Sequence, residues 1–344
     1  MIERVLDVRD TLAELQNQIG DGKSAIETYK EAMPIMEMLA RRDPTNTTWK
    51  RQRGNMISNL GFAMLDMGDF KLGLEQLQIA LDMQKELVAK DPKAQTWQTD
   101  VSRSLTRAGD GRMYLGETKE AIDRYGMALD IRKRLAKSDP KSAPYRRSVA
   151  WAYSKLGNAF ATKADLTGAI AAHEEALALR SQLVAEAPAH SGFKNELAST
   201  EIALGRILAA KDAKRAKELI ESGLGRARAM VSGDAVNGQW KETLTQGLLA
   251  QAELARIGND PATRLIALTE ARTLAHAASE RAPQNVQWPG YVAEVHVGLA
   301  ELATDPKAAA AEWKTVLDTL EPLAKVDHLP AGRKTLLDRA RARR

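Results

Sequence analysis

A recurrence of 48 residues constrains this chain more than any other feature. Pro44, Pro92, Pro140 and Pro188 are each 48 residues apart, and Asp43, Asp91 and Asp139 precede the first three. Five residues after each proline stands an aromatic: Trp49, Trp97, Tyr145 and Phe193. The series continues at Trp240 and Trp288 after steps of 47 and 48. Aromatics make up only 5% of the 344 residues, so six of them in one register mark a structural period. Gly61, Gly109, Gly157 and Gly205 keep the same step, as do Ala32, Ala80, Ala128 and Ala176. Gly20, Gly68 and Gly116 keep it too, each followed by an acid (Asp21, Asp69, Glu117), with Ala164-Asp165 in the fourth unit.

Each unit reads as two helices. Ile79, Leu81, Met83 and Leu87 mix with Glu75, Asp82, Lys85 and Glu86 at helical rather than alternating spacing. Asp-Pro ends a pair, because proline cannot continue a hydrogen-bonded helix and restricts the residue before it. The inner Gly-Asp turn supplies a left-handed helix end and then a cap for the next helix. The expected pairs are 2–18 with 23–41, 47–66 with 70–90, 95–114 with 118–137 and 143–162 with 166–185. They continue as 191–210 with 213–229, 238–257 with 262–281 and 286–303 with 307–324, and a last basic helix covers 331–342. No strand is expected. The fold class is all-α, a solenoid of about seven antiparallel helix pairs over residues 1–330, clear over 20–210 and degenerate over 211–330. Residues 331–344 form a basic capping helix or tail.

Composition removes several function classes. The chain has no cysteine, which excludes disulfides, thiolate zinc sites and cysteine nucleophiles. A net charge of +5 is too small to point to nucleic acid. The N-terminus has no continuous apolar stretch and no run approaches 18 apolar residues, so neither a signal peptide nor a membrane span is expected, and a cytoplasmic location follows if the chain is complete.

The units resemble the tetratricopeptide repeat. The residues that carry the resemblance are Asn59-Leu60-Gly61, Gly68-Asp69, Leu77 and Ala80, then Lys155-Leu156-Gly157, Ala169 and Ala176, with Tyr125 and Ala128 at the same second-helix positions. The family's period is about 34 residues, so 48 implies helices about two turns longer each. The Asp-Pro plus aromatic signature resembles a long-repeat subclass of bacterial signalling proteins, often found after a serine/threonine kinase or another effector. The resemblance implies a right-handed superhelix whose first helices line a concave groove that grips a peptide or a partner helix. It implies no catalytic activity.

Candidate chemistry is sparse. Gly20-Asp21-Gly22-Lys23-Ser24 imitates part of a phosphate-binding loop, but Asn17 stands where the pattern needs glycine and a helix precedes it; it reads as an inner turn with a cap. His173, His190, His276, His296 and His328 lack second ligands at metal spacing, and His173 occupies the register of Tyr125 and Leu77, a packing position. Asn46-Thr47-Thr48 matches the glycosylation pattern but precedes a helix and reads as a cap. No catalytic residue, metal site or cofactor is expected. The six aromatics Trp49, Trp97, Tyr145, Phe193, Trp240 and Trp288 read as staples between neighbouring pairs, worth roughly 3–5 kcal/mol each if fully buried.

By the geometry the resemblance implies, residues around the leucine-glycine face the groove. These are Asn55, Asn59 and Phe62 with Ser58, then Arg103 and Arg107, then Trp151, Lys155 and Asn158, and Arg206 in the fifth pair. Arg107, Lys155 and Asn158 resemble the carboxylate-holding residues of some family members. The leading expectation is a protein- or peptide-binding scaffold, a sensory or recruiting module with no small-molecule substrate. Two alternatives stand beside it. Val5, Val8, Leu12, Leu15 and Ile19, with Ile2 and Leu6 nearby, form an apolar edge on residues 2–19 for self-association or for docking an upstream domain. A nucleic-acid-binding array is the other, and it lacks a repeated two-residue code.

Overall fold

The computed structural model describes residues 2–18, 21–282 and 285–343, without the side chains of 2–4 and 18. Ile19, Gly20 and the side chain of Ile2, all named above, lie outside the described residues. Every expected helix is present, with bounds within four residues of the sequence reading, and the described residues contain no strand. The chain forms two compact units. The first holds α1 (Ile2–Gln18), α2 (Gly22–Arg42), α3 (Thr47–Asp66), α4 (Phe70–Lys90), α5 (Gln95–Leu115) and α6 (Thr118–Ser138), together with the segments Ala282–Val286 and Val326–Gly332. The second holds α7 (Ala143–Thr162), α8 (Leu166–Glu186), α9 (Ser191–Leu208), α10 (Ala213–Gly233), α11 (Gly238–Ile257), α12 (Pro261–Arg281), α13 (Gln287–Leu302) and α14 (Pro306–Lys325), and most of α15 (Ala331–Arg341).

Within each unit every odd-numbered helix except α15 packs on the even-numbered helix that follows, as α3 does on α4 and α7 on α8. The turns explain the register chemically. The carboxylates of Asp43, Asp91 and Asp139 accept the backbone N–H two residues on, at 3.0, 3.0 and 3.2 Å, closing the turn that the following proline begins. Asp234 makes the same bond to Val236 at 3.1 Å, so that turn survives the loss of its proline. Three residues before four of the register aromatics stands a side chain that accepts the aromatic's N–H: Asn46 for Trp49, Ser142 for Tyr145, His190 for Phe193 and Asn237 for Trp240. The inner turns are capped by Asp21, Asp165, Asp212 and Asp260. The phosphate-loop imitation is therefore the cap and first turn of α2.

The register glycines set how closely the two helices of a pair approach. A Cβ on Gly61 would stand 2.8 Å from the carbonyl oxygen of Gly73, and one on Gly73 would stand 2.7 Å from that of Gly61. A Cβ on Gly109 would meet the Tyr125 ring at 2.4 Å, one on Gly157 the His173 ring at 2.5 Å, and one on Gly205 the Ile220 side chain at 2.7 Å. Leu77, Tyr125 and His173 are all buried against the opposing backbone. Tyr125 donates its hydroxyl to Asp110 at 2.6 Å, and His173 meets Asn158, one repeat on from Asp110, at 3.1 Å. No glycine follows Gly205 in this series; Gly247 of α11 instead packs against the preceding pair, at Leu224 and Ile202.

The aromatic staples are less uniform than the register suggests. Phe193 and Trp288 are buried, whereas Trp49, Trp97, Tyr145 and Trp240 are half-buried. For these four, 3–5 kcal/mol is an upper bound, since part of each ring keeps its water in the folded state. At one end α1 buries Leu6 and Ala13 and leaves Val5, Val8, Leu12 and Leu15 exposed. In unit two, α15 buries Leu337, pairs Arg333 with Glu294 at 2.6 Å and pairs Arg339 with Glu301. Those arginines cap unit two.

The inner turns yield a direct contrast. Gly68 and Gly116 adopt φ of +91° and +82°, and Ala164 takes φ of +61° at the same register position. A left-handed alanine costs about 1–2 kcal/mol. Ala164→Gly is expected to raise stability by about 1 kcal/mol in urea unfolding. Gly61→Ala is expected to lower it by about 1–3 kcal/mol, since the added methyl meets backbone that cannot step aside.

His173 gives a pH signature. Burial, aided by the charge of Arg180, lowers its pKa from the ordinary 6.5 to about 4. The unfolded chain therefore binds the extra proton between these values. The contribution is fully present above pH 6.5 and is lost as pH falls towards 4, by about 3 kcal/mol in all. His173→Tyr places there the residue that the neighbouring repeat already accommodates over a glycine. Urea midpoints measured from pH 4 to 7 are expected to show a flatter acid limb in this variant.

Candidate functional site

The first helices of each unit run side by side, α1 with α3 and α3 with α5 in unit one, and α7, α9, α11 and α13 in unit two. Their shared faces carry polar bonds that step along the register. In unit one, Asn59 donates to Glu14 and Asp10 at 3.2 and 3.4 Å, and Arg107 donates to Asn59 at 2.7 Å and to Ser58 at 2.9 Å. Asn59 and Arg107 are 48 residues apart, and Asp10 and Asn59 are 49 apart. Arg51 repeats the step to buried Asp100 at 2.5 Å. In unit two, Arg147 bonds Glu196 and Tyr291 bonds Glu242, each again across 49 residues. Equivalent helices thus place equivalent turns side by side, and side chains one repeat apart meet.

Electrostatics follow from this packing. Burial, with Glu14 close by, raises the pKa of Asp10. Burial, with Arg103 as a like-charged neighbour, lowers Arg107 to about 10, so it remains a cation at neutral pH. Its guanidinium lies over the Phe62 ring, 5.0 Å from the centroid, an arrangement that favours a cation losing water. In unit two burial raises Glu242. Burial also pushes Glu294 upward, but Arg206 and Arg333 together outweigh it and hold Glu294 at about 2.

The expected groove residues divide by what they are already doing. Asn55 accepts from Gln84 at 3.0 Å, and Asn59, Phe62 and Arg107 form one rung with α1. Arg206 is tied to Glu294. Asn158 is exposed but bonded back to His173. Lys155 is half-buried, close enough to Glu242 to lower its pKa. Arg103 and Trp151 project: Arg103 is exposed, 3.9 Å from Asp100, and Trp151 keeps 43% of its surface open. The sequence reading passed over the acids of these faces, Asp10, Glu14, Glu196, Glu242 and Glu294, and the phenol of Tyr291. A search for side chains 48 or 49 apart with complementary chemistry finds several of them.

Unit two also joins two histidines that are far apart in sequence. His276 and His296 meet Nε2 to Nε2 at 2.8 Å, and Nδ1 of His296 bonds Glu312. Among the described residues there is no cluster of three or more metal-binding side chains. Nor is any described helix long and apolar enough to cross a membrane.

Comparison with protein-family models and with curated protein sequences gives no match. Comparison with solved structures gives many. The apo form of RapI shares 12% identity, covering 93% of this chain and 99% of that one, with a TM-score of 0.62. The Rap conjugation gene regulator of plasmid pLS20, in complex with the Phr* peptide, shares 15% identity over 92% of this chain and 74% of that one, with a TM-score of 0.61. BtubC from P. vanneervenii shares 18% identity over 76% and 91%, with a TM-score of 0.52. With seven consecutive packed helix pairs and α15 among the described residues, and with these structural neighbours, the chain has the tetratricopeptide-like helical-repeat fold.

Proposed function

We propose that this chain is a peptide- or protein-binding module that holds its partner on the exposed faces of its first helices. The observation that carries the reading is Trp151. It is a large aromatic left 43% exposed in a chain where aromatics are 5% of residues. Lys155 and Asn158 follow it at spacings of four and seven, on the same side of α7. An exposed aromatic beside a cation and an amide is the composition of a binding hot spot, where tryptophan and arginine contribute most. In unit one Arg103 projects from the corresponding stretch of α5. The neighbouring rung of Asn59 and Arg107 on Phe62 is already engaged within the protein, so Arg103 is the cation that a peptide carboxylate or backbone carbonyl would meet.

The complex of a similarly folded Rap regulator with the Phr* peptide supports peptide binding on this scaffold. The further step is a sensory or recruiting role in a bacterial signalling system, in which peptide occupancy is read by an attached or associated effector. It rests on the Asp-Pro plus aromatic register.

Selection from a random 15-residue peptide display library tests the reading, with affinities of recovered peptides measured by fluorescence anisotropy. Trp151→Ala is expected to weaken the recovered peptides by about 30-fold, the hot-spot scale of roughly 2 kcal/mol. Arg103→Glu is expected to weaken those with acidic side chains. Both positions are exposed, so far-UV circular dichroism should not change. Peptides that bind both variants as tightly as the parent would remove this surface from consideration.

A further inference from the structure

A departure from the register marks a different place on unit one. Between α2, α3 and α4 lies a cleft of about 520 Å³, walled by Met83 and Leu87 and lined by four cations, Arg41, Lys50, Arg53 and Lys90. One repeat on, the positions of those cations hold Ala89, Gln98, Val101 and Ser138, none of them charged. Two repeats on, the positions of Lys50 and Lys90 hold Arg146 and Glu186, which close on each other as an ion pair at 2.5 Å. The fold thus brings these two positions together, and in the fourth pair a cation meets an anion there. In the second pair it brings two ammonium groups to the same cleft.

The anions within the cleft offset only part of this charge. Glu37 and Glu86 also line it, leaving an excess of two positive charges. Glu37 is engaged by Arg53 Nη2 at 3.4 Å. Arg53 Nε is buried and has no hydrogen-bond partner, a state that costs free energy unless something supplies an acceptor. Asp43, whose pKa is lowered mainly by its hydrogen bonds from Thr45, also feels the charge of Lys50. A low-dielectric wall beside like charges strengthens their repulsion, and an anion seated among them turns it into charge-assisted contacts. The volume falls within the roughly 300–1,000 Å³ of small-molecule sites.

We propose that this cleft binds a small organic anion, its phosphate or carboxylate group held by Lys50, Lys90 and Arg53 and its apolar body laid on Met83 and Leu87. None of these residues belongs to the first-helix rungs, so the site is independent of the peptide-binding reading. The probes are octyl phosphate, octanoate and inorganic phosphate, titrated into the full chain by calorimetry at matched ionic strength. At least one of the two amphiphiles is expected to bind one site at least tenfold more tightly than inorganic phosphate, and which one binds tells phosphate from carboxylate recognition. Lys90→Glu recreates the Arg146–Glu186 arrangement. It is expected to weaken that binding at least tenfold while raising the melting temperature of the anion-free protein. Lys50→Gln, the residue type of the next repeat, is expected to weaken it as well without a charge reversal. Amphiphiles that bind no more tightly than inorganic phosphate would overturn the proposal, as would binding that both variants leave unchanged.

Discussion

Two helices can bring their backbones to within contact of a carbonyl oxygen only where neither interposes a Cβ. Gly61 and Gly73 meet that condition reciprocally, each lying against the other's carbonyl. Gly205 meets it on one side, against the Ala216 carbonyl, while Gly109 and Gly157 leave room for the rings of Tyr125 and His173. These approaches fix the rotation of each first helix against its second, because a helix turned by one residue moves its glycine about 100° away from the contact. Once rotation is fixed, the apolar stripe that faces the next pair is fixed too. A glycine in mid-helix costs about 1 kcal/mol of helix propensity, and close packing along both helices offsets it.

From that constraint the polar faces follow. Equal helix lengths and equal rotations put the turn bearing Asn59 beside the turn bearing Arg107, and Arg147 beside Glu196. Hydrogen bonds across 48 or 49 residues are thus a geometric product of the repeat. They also consume polar groups. Arg107, Asn59 and Arg206, which a reading of single positions would leave open to a ligand, already bond within the protein, Arg107 to Ser58 and Asn59, Asn59 to Asp10 and Glu14, and Arg206 to Glu294. A ligand on these faces would add to a network that is already satisfied, so its affinity must come from side chains outside the network. Arg103 and Trp151 fit that description; Asn55 and Asn158 do not, because each is bonded to the second helix of its own pair.

Much of the fold was legible because its signals are local. Asp43 closes its turn on Thr45 and Asn46 caps Trp49, each within three residues, so each turn announces itself in the string. The pairing of glycine with the residue sixteen positions on, Gly61 with Leu77 or Gly109 with Tyr125, was legible as a repeated offset. The candidate face was less so. Its bonds run between repeats, and whether Lys155 points at solvent or at Glu242 depends on side chains nearly two repeats away. The meeting of His276 with His296 and Glu312 uses three successive helices and no register at all, so no spacing rule could have exposed it. The staples show the opposite failure. Six aromatics share a register, yet Trp97 keeps part of its surface in water while Trp288 does not, because burial depends on what the neighbouring pair lays over the ring.

In a repeat array, the residues that keep the register describe the scaffold, and those that break it against physical preference describe what the scaffold is for. Trp151 stands where the other first helices hold Asn55, Arg103 and Ser199, so packing does not call for an indole there and its exposure is a cost. Lys50 and Lys90 break the register electrostatically, putting like charges where Arg146 and Glu186 attract. Ala164 breaks it conformationally, taking a left-handed turn that Gly68 and Gly116 adopt without strain. The three departures do not carry the same meaning. An alanine in place of glycine is a local loss that no ligand could recover, since the strain lies in the backbone. An exposed ring and two ammonium groups lining one cleft would each be relieved by something that binds. That difference separates drift in a repeat from a candidate site, and it supports the two proposals, one around Trp151 on α7 and one in the cleft between α2, α3 and α4.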